Sequence, residues 1–225
     1  MTTTTESLPQ VSHALARSPI VGVVRTSSYE DAARQARALA AAGIELVEIT
    51  FSVPRASRLV AELLAERAAA GAPPFFGMGT VTTAARAREA IAAGAEFFVT
   101  PNTSAEVADA ARRAGLFLIM GALTPTEVVT AAALGADLVK VFPLPPVGGA
   151  AYLRTIRGPL SDIPMLAAGG FPVEDIPAYR AAGASAFGLA GPLLGTELPQ
   201  AEERRLRVEQ ALGMARGDRG ERKGA

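Results

Sequence analysis

The chain has 225 residues, a length typical of one barrel-type domain and short for two separate domains. Hydrophobic residues make up 49% of the chain and charged residues 20%, so it can bury a sizeable core, and its formal net charge is zero. The sequence has no basic stripe and few, scattered aromatic residues, which argues against a nucleic-acid partner.

Three residue types that often carry enzyme chemistry are scarce. The absence of cysteine excludes disulfides and thiolate metal sites. His13 is the only histidine, and it lies in a peripheral predicted helix. We interpret it as a surface or helix-packing residue and expect neither a metal site nor a Ser-His-Asp triad. Only Lys140 and Lys223 are lysines among 22 Lys and Arg residues, and Lys223 lies in a polar tail.

The sequence also suggests where the protein resides. No apolar run reaches the roughly 18 to 20 residues that span a bilayer, so we expect no membrane association. The first ten residues, MTTTTESLPQ, lack the basic and apolar regions of a signal peptide. We therefore expect a cytoplasmic protein.

Eight short apolar runs are typical of strands buried on both faces. They are Val21–Val24, Leu46–Thr50, Pro74–Met78, Phe97–Thr100, Leu116–Met120, Leu138–Phe142, Pro164–Ala168 and Ala186–Ala190. Alanine-rich segments between them open with Ser, Thr or Pro and mostly stop at a glycine, as helices do. The glycines are Gly43, Gly71, Gly94, Gly115, Gly135 and Gly183.

Eight such strand–helix units predict an α/β fold, a (β/α)₈ TIM barrel. An open doubly wound sheet is the alternative, although it does not naturally need eight units. We expect one domain over residues 7–215, with an extra N-terminal helix closing the bottom of the barrel. Residues 1–6 and 216–225 are predicted to be a disordered N-terminus and a disordered polar tail.

Lys140 is the unusual residue of the sixth run, LVKVF. Strand periodicity places Leu138, Lys140 and Phe142 on one face, and Val139 and Val141 on the other. The valines suit the helix-facing side, so Lys140 points into the barrel. Burial there disfavours the ammonium form and favours the neutral amine that a nucleophile requires. The alternative is a structural lysine neutralised by a buried carboxylate.

Glu48 occupies the matching position in the second run, LVEIT. The same periodicity turns Leu46, Glu48 and Thr50 inward. A carboxylate near a buried amine can act as general acid and base. A plain buried ion pair with Lys140 is the second interpretation.

Two further features predict anion binding. Arg25 ends the first strand run, where a guanidinium can hold a carboxylate in bidentate fashion, although it is equally interpretable as a surface residue. Glycine turns follow the seventh and eighth strands, the usual position of the phosphate site in these barrels. They contain Gly169 and Gly170, and Gly188 and Gly191. Tight packing at loop corners would also explain these glycines.

Together these residues resemble the 2-keto-3-deoxy-6-phosphogluconate (KDPG) aldolase family, which includes the phosphogalactonate and 4-hydroxy-2-oxoglutarate (KHG) aldolases. The likeness runs from Ile20 to Leu194. The matching segments are VVR at Val23–Arg25, VEIT at Val47–Thr50, GMGTV at Gly77–Val81, VTPN at Val99–Asn102, KVFP at Lys140–Pro143 and GG at Gly169–Gly170.

The resemblance implies a class I aldolase in which Lys140 forms the Schiff base and Glu48 is the general acid and base. It implies a pyruvate pocket lined by Thr80, Pro101 and Phe142, with the two glycine turns holding the substrate phosphate. It also implies a homotrimer that acts on a small keto acid and needs no metal or other cofactor.

Three positions depart from the family pattern. Ser52 stands where the phosphogluconate enzymes carry an arginine that grips the pyruvate carboxylate. The surrounding FSVP is closer to the phosphogalactonate branch, in which Arg25 could hold the carboxylate. Arg55 or Arg58 could also swing in. Ala168 and Gly191 replace a threonine and a serine near the phosphate.

The expected reaction is reversible cleavage of KDPG, or its galactonate epimer, to pyruvate and glyceraldehyde 3-phosphate. A second hypothesis keeps the imine but changes the substrate to 4-hydroxy-2-oxoglutarate or another 2-keto acid. A third is a sugar-phosphate isomerase or epimerase, which needs no imine. A fourth is an inactive protein that keeps only the trimeric scaffold.

Overall fold

The structure, a computed structural model, describes residues 7–70 and 74–218. The strands are β1 (Ile20–Val24), β2 (Leu46–Thr50), β3 (Phe75–Gly79), β4 (Phe97–Val99), β5 (Phe117–Ala122), β6 (Leu138–Val141), β7 (Met165–Ala168) and β8 (Ala186–Ala190). The α-helices are α1 (Ser7–Arg17), α2 (Tyr29–Ala41), α3 (Ala56–Ala70), α4 (Ala84–Ala92), α5 (Ala105–Ala114), α6 (Pro125–Ala133), α7 (Gly149–Arg157), α8 (Ile176–Ala181) and α9 (Ala201–Arg216). Short 3₁₀ helices follow β6, β7 and β8, at Pro145–Val147, Val173–Asp175 and Gly191–Leu194.

The eight strands form one closed parallel barrel in chain order. The last strand pairs back with the first, with Val21 opposite Gly188 and Val23 opposite Ala190. This closure confirms the predicted (β/α)₈ TIM barrel and excludes the open doubly wound sheet.

Strand periodicity separates two apolar clusters. The first lies between the sheet and the surrounding helices and takes side chains such as Val47, Val139 and Val141. The second fills the barrel interior and takes the alternate positions, including Leu46 and Leu138. The inward and outward faces predicted for β2 and β6 are therefore confirmed.

Helix α1 covers the bottom of the barrel, as predicted. Its Val11 and Ala14 are fully buried and pack against the interior cluster. At the other end of the chain, Arg216 is the last residue of α9 and Gly217 caps it with a φ of 81°. These two residues belong to the helix end, not to the predicted tail. Residues 1–6, Gly71 and residues 219–225 lie outside the described ranges.

The helices begin and end where local chemistry predicts. Ser28, Thr83, Ser104 and Thr124 each accept a hydrogen bond from a backbone N–H in the first turn of the helix that follows. The glycines at the helix ends adopt positive φ, a backbone conformation that residues other than glycine rarely adopt. They are Gly43, Gly94, Gly115, Gly135 and Gly183. None of the described helices is long and apolar enough to cross a bilayer.

Two strands extend further than predicted because glycines continue them. Gly79 pairs with Thr50 and Val99, and Gly121 pairs with Lys140. A Cβ at Gly79 would overlap the Glu48 carboxylate, and a Cβ at Gly121 would overlap the backbone of Pro101. Sequence reading treats glycine as a strand terminator, whereas here the crowded barrel interior requires it within the strand.

We predict that Gly79→Ala destabilises the protein by about 1–3 kcal/mol, because the added methyl group forces the buried Glu48 side chain to move. Thermal or urea unfolding measures the effect. The control is Gly213→Ala in α9, where a Cβ meets nothing within 4 Å. That change should stabilise the helix by about 0.5–1 kcal/mol. An unchanged stability of Gly79→Ala would show that Glu48 can move aside without cost.

Candidate active site

Lys140 and Glu48 both project into the barrel interior. Lys140 is 7% exposed on β6 and Glu48 is 1% exposed on β2. These strands lie on opposite sides of an eight-stranded barrel, so the two side chains converge on the interior from facing walls. This placement agrees with the prediction from strand periodicity.

The two groups do not form the structural ion pair that was the second interpretation. Within residues 7–70 and 74–218, no carboxylate oxygen lies within 4.0 Å of the Lys140 amine. In the same ranges Glu48 Oε1 is buried and has no hydrogen-bond partner. Leaving a buried carboxylate oxygen unpaired costs free energy, and such groups concentrate where function uses them. The barrel interior thus keeps an amine and a carboxylate available for a ligand.

Small residues create the space around this pair. Gly79 leaves the volume that the Glu48 carboxylate occupies. Gly121, opposite Lys140 in the sheet, lets the segment after β4 approach the strand. At both positions the space that a side chain would need is filled, by the Glu48 carboxylate at Gly79 and by the Pro101 backbone at Gly121.

Phe142 and Pro101 line the same end of the barrel. Phe142 directly follows β6, and Lys140 Nζ lies 5.3 Å from the centre of its ring. Thr100, which is fully buried, holds the segment that carries Pro101. Its hydroxyl donates to the carbonyl of Asn102 at 2.6 Å and accepts from the Gly121 N–H at 2.9 Å.

Arg25 and Thr80 meet at the carboxyl ends of β1 and β3. Arg25 Nη2 lies 3.5 Å from Thr80 Oγ1. Thr80 has a φ of 60°, an unusual conformation for a β-branched residue. Conformational strain of this kind clusters at binding sites. The backbone of Thr80 therefore points to the same residue that the resemblance predicts for substrate binding.

Ser52 and the two arginines that follow it, Arg55 and Arg58, lie at the protein surface. Ser52 is exposed, and its hydroxyl lies 2.7 Å from that of Thr50. Arg58 pairs with Glu62 at 2.8 Å, and the Arg55 guanidinium stacks over Tyr29 at 4.4 Å. These two arginines contact the surfaces of α2 and α3, whereas Arg25 contacts Thr80.

Two glycines with positive φ form the turn after β7. Gly170 has a φ of 83°, is exposed, and its N–H has no hydrogen-bond partner among the described residues. Gly169 has a φ of 139°, and a Cβ there would come within 2.6 Å of Pro145 Cδ. The proline-rich segment after β6 therefore packs directly on this turn.

The prediction that Gly188 belongs to a turn is wrong. It lies within β8, where it is buried and pairs with Val21 and Ala168. A Cβ there would meet Leu166 at 3.1 Å inside the barrel, so glycine serves interior packing. Gly188 thus belongs to the predicted strand Ala186–Ala190, whose bounds the structure confirms, and not to the turn that follows it.

Gly191 does open the segment after β8. It is the first residue of a 3₁₀ helix and is buried. A Cβ there would lie 2.8 Å from Gln35 Oε1 and 3.0 Å from Thr196 Oγ1. Both side chains are themselves buried, so the local packing has no room for a larger residue.

Sequence analysis missed Thr100, Gly79, Gly121 and Arg86 as residues that shape the site. Strand-internal glycines and a buried threonine give only weak local signals. Arg86 gives a stronger one, because a cation in the first turn of a helix is unfavourable. His13 is exposed on α1, as predicted. No cluster of three or more His, Cys, Asp or Glu side chains suited to a metal occurs in the described residues.

Comparison with known proteins agrees with this geometry. The model of the KDPG and KHG aldolase family matches residues 11–204. A 2-dehydro-3-deoxy-phosphogluconate aldolase of Treponema pallidum is 33% identical over 168 residues, covering 75% of this chain and 78% of the relative. A Rhizobium meliloti protein described as a probable 2-dehydro-3-deoxy-6-phosphogalactonate aldolase is 32% identical over 176 residues, covering 78% and 81%.

Solved structures similar to this one also include aldolases. The KDPG aldolase of Legionella pneumophila, with pyruvate captured at low pH as a covalent carbinolamine intermediate, superposes with a TM-score of 0.72 at 25% identity. The match covers 89% of this chain and 96% of that one. The chain therefore belongs to the KDPG and KHG aldolase family of carbon–carbon lyases.

Proposed function

We propose that this aldolase works through an imine on Lys140. The observation that carries the proposal is the presence of two buried groups that do not neutralise each other. Lys140 has no carboxylate partner within 4.0 Å in the described residues, and Glu48 Oε1 has no hydrogen-bond partner there. A buried amine that is not held in an ion pair can attack a carbonyl carbon. Arginine in this position could not act, because it stays protonated.

The first half of the reaction forms the imine. Lys140 Nζ attacks the C2 ketone carbon of the keto acid, and the resulting carbinolamine loses water to give a protonated imine. The Legionella pneumophila relative, with pyruvate held as a covalent carbinolamine, supports this route. The positive nitrogen then serves as the electron sink for breaking a carbon–carbon bond.

Glu48 is the proposed general acid and base. It takes the proton of the C4 hydroxyl, directly or through a water, as the C3–C4 electron pair moves toward the imine and the aldehyde leaves. Protonation of the enamine at C3 and hydrolysis of the imine release pyruvate. A buried carboxylate suits this work, because no donor among the described residues competes for Oε1.

The keto-acid half of the substrate is assigned to the open end of β1, β3, β4 and β6. We propose that Arg25 and Thr80 bind the carboxylate, while Pro101 and Phe142 cover the pyruvyl methyl group. Ser52 carries no charge and can add only a hydroxyl. The position of Arg25, 3.5 Å from Thr80, supports this assignment over one that moves Arg55 or Arg58 from their contacts on the helix surface.

The substrate we propose is KDPG or its galactonate epimer, cleaved to pyruvate and glyceraldehyde 3-phosphate. The Gly170 N–H in the turn after β7, which has no partner among the described residues, supports a phosphate at this end of the barrel, with Gly169 and Gly191 beside it. Gly188 stays in this proposal only as a wall residue, because its backbone is committed to the sheet.

The second candidate substrate is 4-hydroxy-2-oxoglutarate, which has no phosphate. Ala168 and Gly191 favour it, because neither position carries a hydroxyl that could bind phosphate. Membership in a lyase family argues against an isomerase or epimerase. The presence of both Lys140 and Glu48 argues against an inactive scaffold.

The remaining parts of the proposal follow from the chemistry and the resemblance. The imine itself supplies the electron sink, so the mechanism requires no metal or organic cofactor. The homotrimer and the cytoplasmic location stay predictions, as does the absence of nucleic-acid and membrane partners.

Borohydride trapping tests the imine directly. We expect incubation with pyruvate and borohydride to attach one pyruvate-derived group to Lys140, detected by peptide mass spectrometry. The chain has only one other lysine, Lys223, so Lys223→Arg is a matched control that should trap normally. Lys140→Arg should form no adduct and lose turnover while retaining the fold by circular dichroism. Trapping or turnover in Lys140→Arg would refute the proposal.

Replacement of Glu48 tests the proton-transfer role. Glu48→Gln keeps the shape of the side chain but cannot take a proton, so kcat should fall about 10²–10⁴-fold. The control is Glu45→Gln just before the same strand, where Glu45 pairs with Arg17 at 2.5 Å at the bottom of the barrel. That variant should keep wild-type kcat. Equal rates in Glu48→Gln and the wild type would remove Glu48 from the mechanism.

Substrate choice is settled by comparing kcat/KM for KDPG, its galactonate epimer, the unphosphorylated sugar acid and 4-hydroxy-2-oxoglutarate. We expect the phosphorylated substrates to exceed the unphosphorylated sugar acid by at least about tenfold, the effect of one charge-assisted contact. A higher value for 4-hydroxy-2-oxoglutarate than for either phosphorylated acid would make that keto acid the substrate instead.

A further inference from the structure

Arg86 links the ends of two site strands although it lies on a helix outside the barrel. It is the third residue of α4, and its side chain folds back toward the end of β3. Arg86 Nη1 donates to the Thr80 carbonyl at 3.1 Å and to Thr82 Oγ1 at 2.9 Å. Its guanidinium also lies 5.2 Å from the ring centre of Phe51, just after β2.

Helix stability does not explain an arginine at this position. A cation in the first turn opposes the helix dipole. The Arg86 N–H already donates to the capping hydroxyl of Thr83 at 3.2 Å. A glutamate at the same position would complete a capping box, as Glu127 does with Thr124 in α6. The contacts of the Arg86 side chain with Thr80, Thr82 and Phe51 therefore do not serve to stabilise α4.

Thr80 is the residue that needs support. Its φ of 60° is costly for a β-branched side chain and persists only where neighbours hold it. On one side the next residue, Val81, donates its N–H to the Val99 carbonyl at 3.2 Å. On the other side Arg86 binds the Thr80 carbonyl. The peptide is thus held between β4 and α4.

This backbone conformation determines where the Thr80 hydroxyl lies. With Thr80 held left-handed, Oγ1 is 3.5 Å from Arg25 Nη2. We propose that Arg86 is a positioning residue for keto-acid binding, which acts by holding Thr80 so that its hydroxyl and Arg25 together meet the substrate carboxylate. This inference rests on the proposed assignment of Arg25 and Thr80 to the carboxylate.

The kinetic test measures borohydride-trapping rates against pyruvate concentration. Arg86→Ala should raise the half-saturating pyruvate concentration about tenfold, with the maximal rate within about threefold of wild type, because a carboxylate contact binds ground and transition states alike. Arg86→Lys should recover part of the loss, since one ammonium can still reach the Thr80 carbonyl. Arg88→Ala, an exposed arginine two residues further along α4, is the matched control and should behave as wild type.

A double-mutant cycle separates positioning from general destabilisation. If Arg86 acts through the Thr80 hydroxyl, its removal should matter little once that hydroxyl is gone. The half-saturating pyruvate concentration of the double variant Thr80→Ala/Arg86→Ala should then be less than about twofold above that of Thr80→Ala alone. Additive effects would overturn the proposal, as would a lower maximal rate with unchanged half-saturation in Arg86→Ala.

A crystal structure of Arg86→Ala tests the proposal independently of the chemistry. We expect Thr80 to leave the left-handed conformation or to become disordered. A Thr80 that keeps its φ and its distance to Arg25 would overturn the inference even if kinetics changed. Failure of the wild type to trap pyruvate would instead refute the imine, while the Thr80 conformation would still decide the role of Arg86.

Discussion

The constraint on which the structure depends is the burial of two ionisable side chains in an apolar barrel without pairing them to each other. Lys140 and Glu48 are at least nine-tenths buried, and in the described residues neither is neutralised by an ion pair. Each group carries a desolvation cost that must be offset by the rest of the fold. Two separate apolar clusters, one inside the sheet and one between sheet and helices, supply the stabilisation that makes this tolerable.

The space needed by Lys140 and Glu48 determines which residues line the barrel interior around them. Gly79 makes room for the Glu48 carboxylate and Gly121 lets the Pro101 segment pack close, and a larger residue at either position would overlap these neighbours. Thr100 then fixes the same segment through two hydrogen bonds. The opposite end of the barrel is closed by α1, whose Val11 and Ala14 pack against the interior cluster. This division of a barrel into a stabilising bottom and a reactive top follows from the shared direction of parallel strands.

In the proposed function, separate loops at the carboxyl ends of the strands bind the carboxylate and the phosphate of the substrate. Arg25 and Thr80 follow β1 and β3, and the glycine turn follows β7 at the same end of the barrel. Arg55 and Arg58 lie near the first group but are engaged on the helix surface with Tyr29 and Glu62. The loss of a cation at Ser52 is thus not compensated by these arginines in the structure. Arg25 contacts Thr80, whose carbonyl accepts a hydrogen bond from Arg86, and is the cation that we propose for the carboxylate.

The sequence by itself determined the eight strands, the helices between them, the inward direction of Lys140 and Glu48, and the resemblance to a family. These features depend on local periodicity and capping, which need no knowledge of distant contacts. Only the tertiary structure decided that Gly79 accommodates Glu48, that the lysine and glutamate stay unpaired, and that Arg86 donates to the Thr80 carbonyl. Each of these depends on atoms brought together from separate strands and helices. Their relative positions are set by barrel closure and side-chain packing, which no single segment encodes.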